Sequence, residues 1–184
     1  MKNEINRIAD RLVKAFNTNT VINPIPVKYC KNINLANKLR KLCEDQIKDE
    51  TIGIKAGGTG IQALKKLKEK EPFTAKVFKK RLVKSGQKVK INQHTKGIEV
   101  EVYYFIKKSF FDFKGKVTKS NVSKFIKFMG PCFEIVGFRQ RNKKFTYLGD
   151  ICGDFGFNIK FVVGRKTKFK KLNLNNLKTS LVSN

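Results

Sequence analysis

Apolar residues recur at helical spacing at the start of the chain and at strand spacing beyond it. From Glu4 to Asn17, the residues Ile5, Ile8, Ala9, Leu12, Val13 and Phe16 fall on one side and predict an amphipathic helix. A loop holding Asn23-Pro24-Ile25-Pro26 follows, and then Leu35, Leu39, Leu42, Cys43 and Ile47 predict a second helix that runs out in Lys48-Asp49-Glu50. Thr51 to Ala56 reads as a short strand leading through Gly57-Gly58-Thr59-Gly60 into a short helix with Ile61, Leu64 and Leu67. Thr74 to Phe78 predicts a strand, Ser85-Gly86 a turn, and Lys88 to Ile91 an exposed strand. A long strand from Gly97 to Ile106 comes next. Val122, Phe125, Ile126 and Met129 predict a helix capped near Thr118 or Ser120 and stopped by Gly130-Pro131. Strands are then expected at Cys132 to Val136, at Phe157 to Val163 and, weakly, at Leu174 to Val182. Two helices followed by strands with only short helices between them predict an α+β fold. One domain over 1–184 is expected, helical over 1–50 and β-rich over 51–184.

The long strand carries the most informative pattern. Successive strand side chains point to opposite faces, so Glu99 and Glu101 share one face while Ile98, Val100, Val102, Tyr104 and Ile106 share the other. Two like charges held that close repel unless a cation lies between them. A third carboxylate, Glu134, sits in the apolar strand Cys132 to Val136, where an ionised group is costly to desolvate without a partner. With one histidine and no clustered cysteines, a metal here would take oxygen ligands, which selects Mg²⁺ first and Mn²⁺ second. The simpler account on spacing alone is that Glu99 and Glu101 face solvent beside lysines and that Glu134 forms one buried ion pair.

Composition limits the alternatives. At 184 residues with 40% hydrophobic content the chain can build an ordinary core. No apolar run approaches the roughly 20 residues that cross a bilayer, and the first residues lack an apolar signal core, so a cytoplasmic protein is expected. Cys30, Cys43, Cys132 and Cys152 show no zinc spacing and read as free buried thiols. The formal charge of +27 invites a nucleic-acid reading. Only seven of the 41 basic residues are arginine, however, and no lysine run exceeds two, so solvated charged faces account for it better.

Lys55 lies in a strand followed by Gly57, Gly58 and Gly60, which would let a ligand approach the backbone closely. A desolvated lysine there could exchange protons with a ligand, whereas a packed stem with its ammonium in water is the plainer alternative. Gly58-Thr59-Gly60-Ile61-Gln62-Ala63 imitates a dinucleotide fingerprint, but Lys79-Lys80-Arg81 stands where the acidic residue belongs, so no such site is expected. His94 is isolated from any nucleophile pattern and reads as structural.

Taken in order, Ile52-Gly53-Ile54-Lys55-Ala56-Gly57, Pro72 to Phe78, Gly97 to Ile106 and Pro131-Cys132-Phe133-Glu134-Ile135-Val136 resemble the 2-keto-4-pentenoate hydratase family of the fumarylacetoacetate hydrolase superfamily. The resemblance runs along the whole chain. It implies a mixed β-roll behind N-terminal helices, with Glu99, Glu101 and Glu134 binding Mg²⁺ or Mn²⁺ and Lys55 transferring a proton. It further implies a small 2-oxo acid as substrate and Arg139 and Asp150 as substrate-binding residues, while the charge pattern and the short apolar runs lead to the expectation of no nucleic acid or membrane as partner. The implied reaction adds water to a 2-oxo-4-alkenoic acid through a metal-stabilised enolate, and decarboxylation of a 2-oxo-3-enedioic acid shares that logic. A small basic nucleic-acid-binding protein, or a fragment completed by a partner chain, would be the rival accounts.

The chain departs from the family pattern at Gly137, where aspartate is usual, at Gly149-Asp150-Ile151, and at Ala75, where glycine is common. It also ends at Asn184, near where the family's last strands would begin. That predicts an incomplete β-roll with reduced or absent activity, whose open strand edges favour a homo-oligomer.

Overall fold

The computed structural model describes residues 3–91 and 94–170, together with 178, 180 and 182. The N-terminal layer is helical. Helix α1 (Glu4–Thr18) starts at Asn3, whose side chain accepts the N–H of Asn6 at 3.1 Å, and ends at Asn19 in a left-handed conformation with φ 54°. A four-residue helix α2 (Lys28–Lys31) follows, and Asn32 caps helix α3 (Ile33–Asp45) by accepting the N–H groups of Asn34 and Leu35. The predicted apolar stripes meet here: Ile8, Leu12 and Phe16 of α1 pack on Leu39 and Cys43 of α3, with Phe78 and Phe155 closing the cluster.

Strand β1 (Thr51–Gly57) and strand β2 (Phe73–Phe78) form an antiparallel pair joined through helix α4 (Ile61–Leu67). The remaining strands build a second, five-stranded sheet. Strand β3 (Leu82–Lys84) pairs in parallel with β6 (Asn158–Val163), β6 pairs antiparallel with β5 (Ile126–Gly137), and β5 pairs antiparallel with β4 (Thr95–Ile106). The short strand β7 (Thr167–Lys168) pairs with the start of β5. Helix α5 (Leu148–Cys152), absent from the sequence expectation, packs on α2 and α3. The architecture is α+β, as the order of elements predicts.

Two expectations are corrected. The helix expected over Val122, Phe125, Ile126 and Met129 is only a 3₁₀ turn, Val122–Phe125, after which β5 begins. Helical spacing was present, but Ile126 pairs with Ile106 and Met129 with Tyr104, so the long-range ladder with β4 overrides it. Pro131 fits inside β5 because its carbonyl accepts the N–H of Gly164 at 2.9 Å in the gap between β6 and β7, where its missing N–H forfeits no ladder bond to either strand. No strand forms over 88–91; the neighbouring Leu82–Lys84 is recruited instead by β6, a partner some 80 positions away. On β4 the apolar face is only partly covered: Ile98 is 42% and Val100 38% exposed, and β4 is an edge strand with β5 on one side alone. The expected strand over 174–182 lies largely outside the described residues. All four cysteines are free and buried, as expected. No helix among the described residues is long and apolar enough to cross a membrane.

Candidate metal centre

The register of β4 on β5 creates the site. Glu99 stands directly opposite Glu134, and Glu101 opposite Cys132, so alternation places Glu99, Glu101, Glu134 and Cys132 on one face. One carboxylate oxygen from each glutamate lies within 4.8 Å of the other two. Glu99 and Glu101 are exposed, whereas Glu134, on the central strand, is buried at 2%.

Lys55 reaches this face from the other sheet. Its Nζ lies 2.5 Å from Glu134 Oε1 and donates a second hydrogen bond to the Gly156 carbonyl at 2.9 Å. The plainer alternative for Lys55, an ammonium in water, does not hold: the side chain is 10% exposed. Burial nonetheless outweighs the lysine at Glu134, whose pKa is raised to about 7 by desolvation, partly offset by Lys55 and reinforced by Glu99 and Glu101. Desolvation and the neighbouring Glu99 also raise Glu101. Cys132 is pushed up to about 11 by burial and by Glu134 and Glu101, which keeps its thiol protonated.

These features suit a hard divalent cation. The donors are all carboxylate oxygens, they are drawn together despite mutual repulsion, and the one lysine among them engages a single oxygen of Glu134. The residues present therefore fit Mg²⁺ or Mn²⁺.

Arg139 and Asp150 occupy other ground. Arg139 is 3% exposed and is taken up by Asp154, to which it donates through its backbone N–H at 2.7 Å and through Nη1 at 3.1 Å. Asp150 is 1% exposed, accepts the N–H groups of Thr146 and Tyr147, and pairs with Lys143 at 2.7 Å. Burial pulls its pKa up, but Lys143 and these N–H groups prevail and hold it below the usual value. His94 is buried, and its pKa is lowered by desolvation and by the nearby Arg139 and Lys96. Sequence reasoning missed two contributors. Glu44, at the polar end of α3, is 3% exposed and ties α3 to β2 by accepting the N–H of Lys76 and a bond from Arg40. The Gly156 carbonyl was overlooked because backbone groups leave no residue signature; the signal available was a glycine between Phe155 and Phe157.

Comparison of the sequence with models of known protein families gives no match, and none is found among curated proteins. Solved structures do match. One is 4-oxalocrotonate decarboxylase from Pseudomonas putida G7 complexed with magnesium and adipate, with TM-score 0.70 and 16% identity over 93% of this chain. Another is the same enzyme complexed with calcium and acetate, with TM-score 0.74 and 16% identity over 94%. The fold is fumarylacetoacetate hydrolase-like. The chain spans 66% of the length of each of those two structures. Both neighbours hold a divalent cation, magnesium in one and calcium in the other.

Proposed function

We propose that Glu99, Glu101 and Glu134 hold Mg²⁺ or Mn²⁺ and that the chain is a metal-dependent enzyme of 2-oxo acids, of the type that hydrates a 2-oxo-4-alkenoic acid. The convergence of three carboxylates from β4 and β5 with the ammonium of Lys55 carries this reading. When bound, the ion supplies Lewis-acid polarisation of the substrate's carboxylate and 2-oxygen. Lys55, held at the rim of the carboxylate cluster, moves the proton: its ammonium delivers one to the far carbon of the dienol, and the amine so formed takes up the one that the 2-hydroxyl releases. Water then adds across the remaining double bond to give the 4-hydroxy-2-oxo acid. Glu134 supports Lys55 by keeping its charged form within hydrogen-bond reach. Contact of Arg139 or Asp150 with substrate is the part of the family resemblance that the geometry supports least, since both are engaged by protein groups.

A second reading, decarboxylation of a 2-oxo-3-enedioic acid, is favoured by the identity of the structural neighbours. It uses the same residues, because loss of CO₂ also leaves a carbon that must be protonated. Two assays separate them. Mg²⁺-stimulated loss of absorbance from a 2-hydroxypentadienoate supports hydration, and Mg²⁺-stimulated CO₂ release from the enedioate supports decarboxylation. Melting with and without Mg²⁺ tests the metal itself: the ion should raise the melting temperature by mass action, by an amount that grows with its concentration. The Glu99→Gln, Glu101→Gln double variant should lose that rise. A rise that persists unchanged in the double variant would place the ion elsewhere and sink the reading.

A further inference from the structure

Phe155, Gly156 and Phe157 have φ values of 53°, 68° and 71°, three consecutive residues in the left-handed region. Two of them carry side chains that disfavour it, so the surrounding structure must impose the conformation. The imposing group is visible. Arg139 grips both ends of this turn: its backbone N–H and Nη1 bond the Asp154 carboxylate, Nη1 also reaches the Asp154 carbonyl at 3.4 Å, and Nη2 bonds the Asn158 carbonyl. Asn158 adds a bond from its side chain to the Phe155 carbonyl at 2.7 Å. Arg139, Asp154 and Asn158 are all at most 3% exposed. The apex of the turn is Gly156, and its carbonyl receives the Lys55 ammonium. No side chain fits there, since a Cβ on Gly156 would lie 2.6 Å from the Cβ of Ala75, the strand partner of Lys55.

We infer that Arg139 is a positioning residue for the metal centre: by clamping the left-handed turn it aims the Gly156 carbonyl at Lys55 and so parks the ammonium on one oxygen of Glu134. The inference rests on the metal-binding reading above. Its physical content is a competition between cations. An ammonium tethered by Gly156 engages Glu134 Oε1 and leaves the remaining oxygens of Glu99, Glu101 and Glu134 to the ion. An ammonium released from that carbonyl is free to settle among the three carboxylates, where it opposes a divalent cation directly.

A double-mutant cycle on Mg²⁺ affinity, measured by titration calorimetry, tests it. Arg139→Met should weaken Mg²⁺ binding about fivefold when Lys55 is present and leave it unchanged within about twofold in a Lys55→Met background, because the clamp then has no ammonium to hold. Asn158→Ala, which removes the bond to the Phe155 carbonyl that also holds the turn and keeps the Arg139–Asp154 pair, runs the same cycle should Arg139→Met fail to fold. Equal losses in both backgrounds, or no loss in either, overturn the inference and leave the metal reading standing. Absence of Mg²⁺ binding by the unmodified protein overturns both.

Discussion

Strands β4 and β5 are both 12 residues long and pair along their whole length, yet they live in different environments. β5 is central, flanked by β4 on one side and by β6 and β7 on the other, and over Glu134 to Gly137 it is buried on both faces: Glu134 at 2% on one, Ile135 at 4% on the other. β4 is an edge, and its Ile98, the direct partner of Ile135, is 42% exposed. The candidate metal centre takes two ligands from the open strand and one from the closed strand. The difference teaches that one residue type does two jobs. Glu99 and Glu101 offer accessible oxygens. Glu134 offers a fixed one, and its burial demands a cationic partner that Lys55 supplies when no metal is there.

Removing the buried member should have the largest effect. Glu134→Ala leaves the Lys55 ammonium buried at 10% exposure without its partner, and the expected loss is about 3–5 kcal/mol in denaturant unfolding. A loss below about 1 kcal/mol would mean that Lys55 readily finds water and that Glu134 is no more demanding than Glu99. The isoleucine pair offers the next contrast. Ile135→Ala should cost about 2–5 kcal/mol, whereas Ile98→Ala, across the ladder, should cost less than about 1 kcal/mol. Equal costs would show that the face of β4 is covered in solution.

The pH dependence sets Glu134 apart from its exposed partners as well. Glu134 has its pKa raised from 4.5 to about 7, so its protonated form is favoured by folding. Its contribution to metal-free stability is therefore present below pH 4.5 and declines as pH rises through 7. Mg²⁺ affinity runs the other way. Binding must displace that proton at acid pH, so affinity should fall by about tenfold per unit below pH 7 and level off above it. A Glu134→Gln variant should lose this slope, whether or not it retains weak binding through Glu99 and Glu101.

Much of this architecture was legible residue by residue. The Ile5 to Phe16 stripe and the run from Leu35 to Ile47 specified helices because local periodicity suffices for a helix. Glu99 and Glu101 could be placed on one face for the same local reason. The run from Val122 to Met129 misled because its spacing satisfies a helix, while the deciding interaction was with Tyr104 and Ile106, far away in sequence. Leu82–Lys84 became a strand only because β6 lies beside it. Asp154 and Glu44 gave no sign of burial, since an aspartate after glycine and a glutamate in a polar helix end look like surface residues until their partners are known.

What the sequence determined by itself was which side chains share a face, because strand and helix periods are properties of the backbone. It also supplied the donor chemistry, three glutamates without histidine or cysteine clusters, which would restrict any ion held there to a hard one. Tertiary structure decided the rest. Whether a face is covered depends on what packs against it, so the apolar side of β4 came to lie open while Glu134 became buried. The distance between Lys55 and Glu134, residues 79 positions apart, is set by two sheets and a left-handed turn, and no local pattern encodes such a meeting.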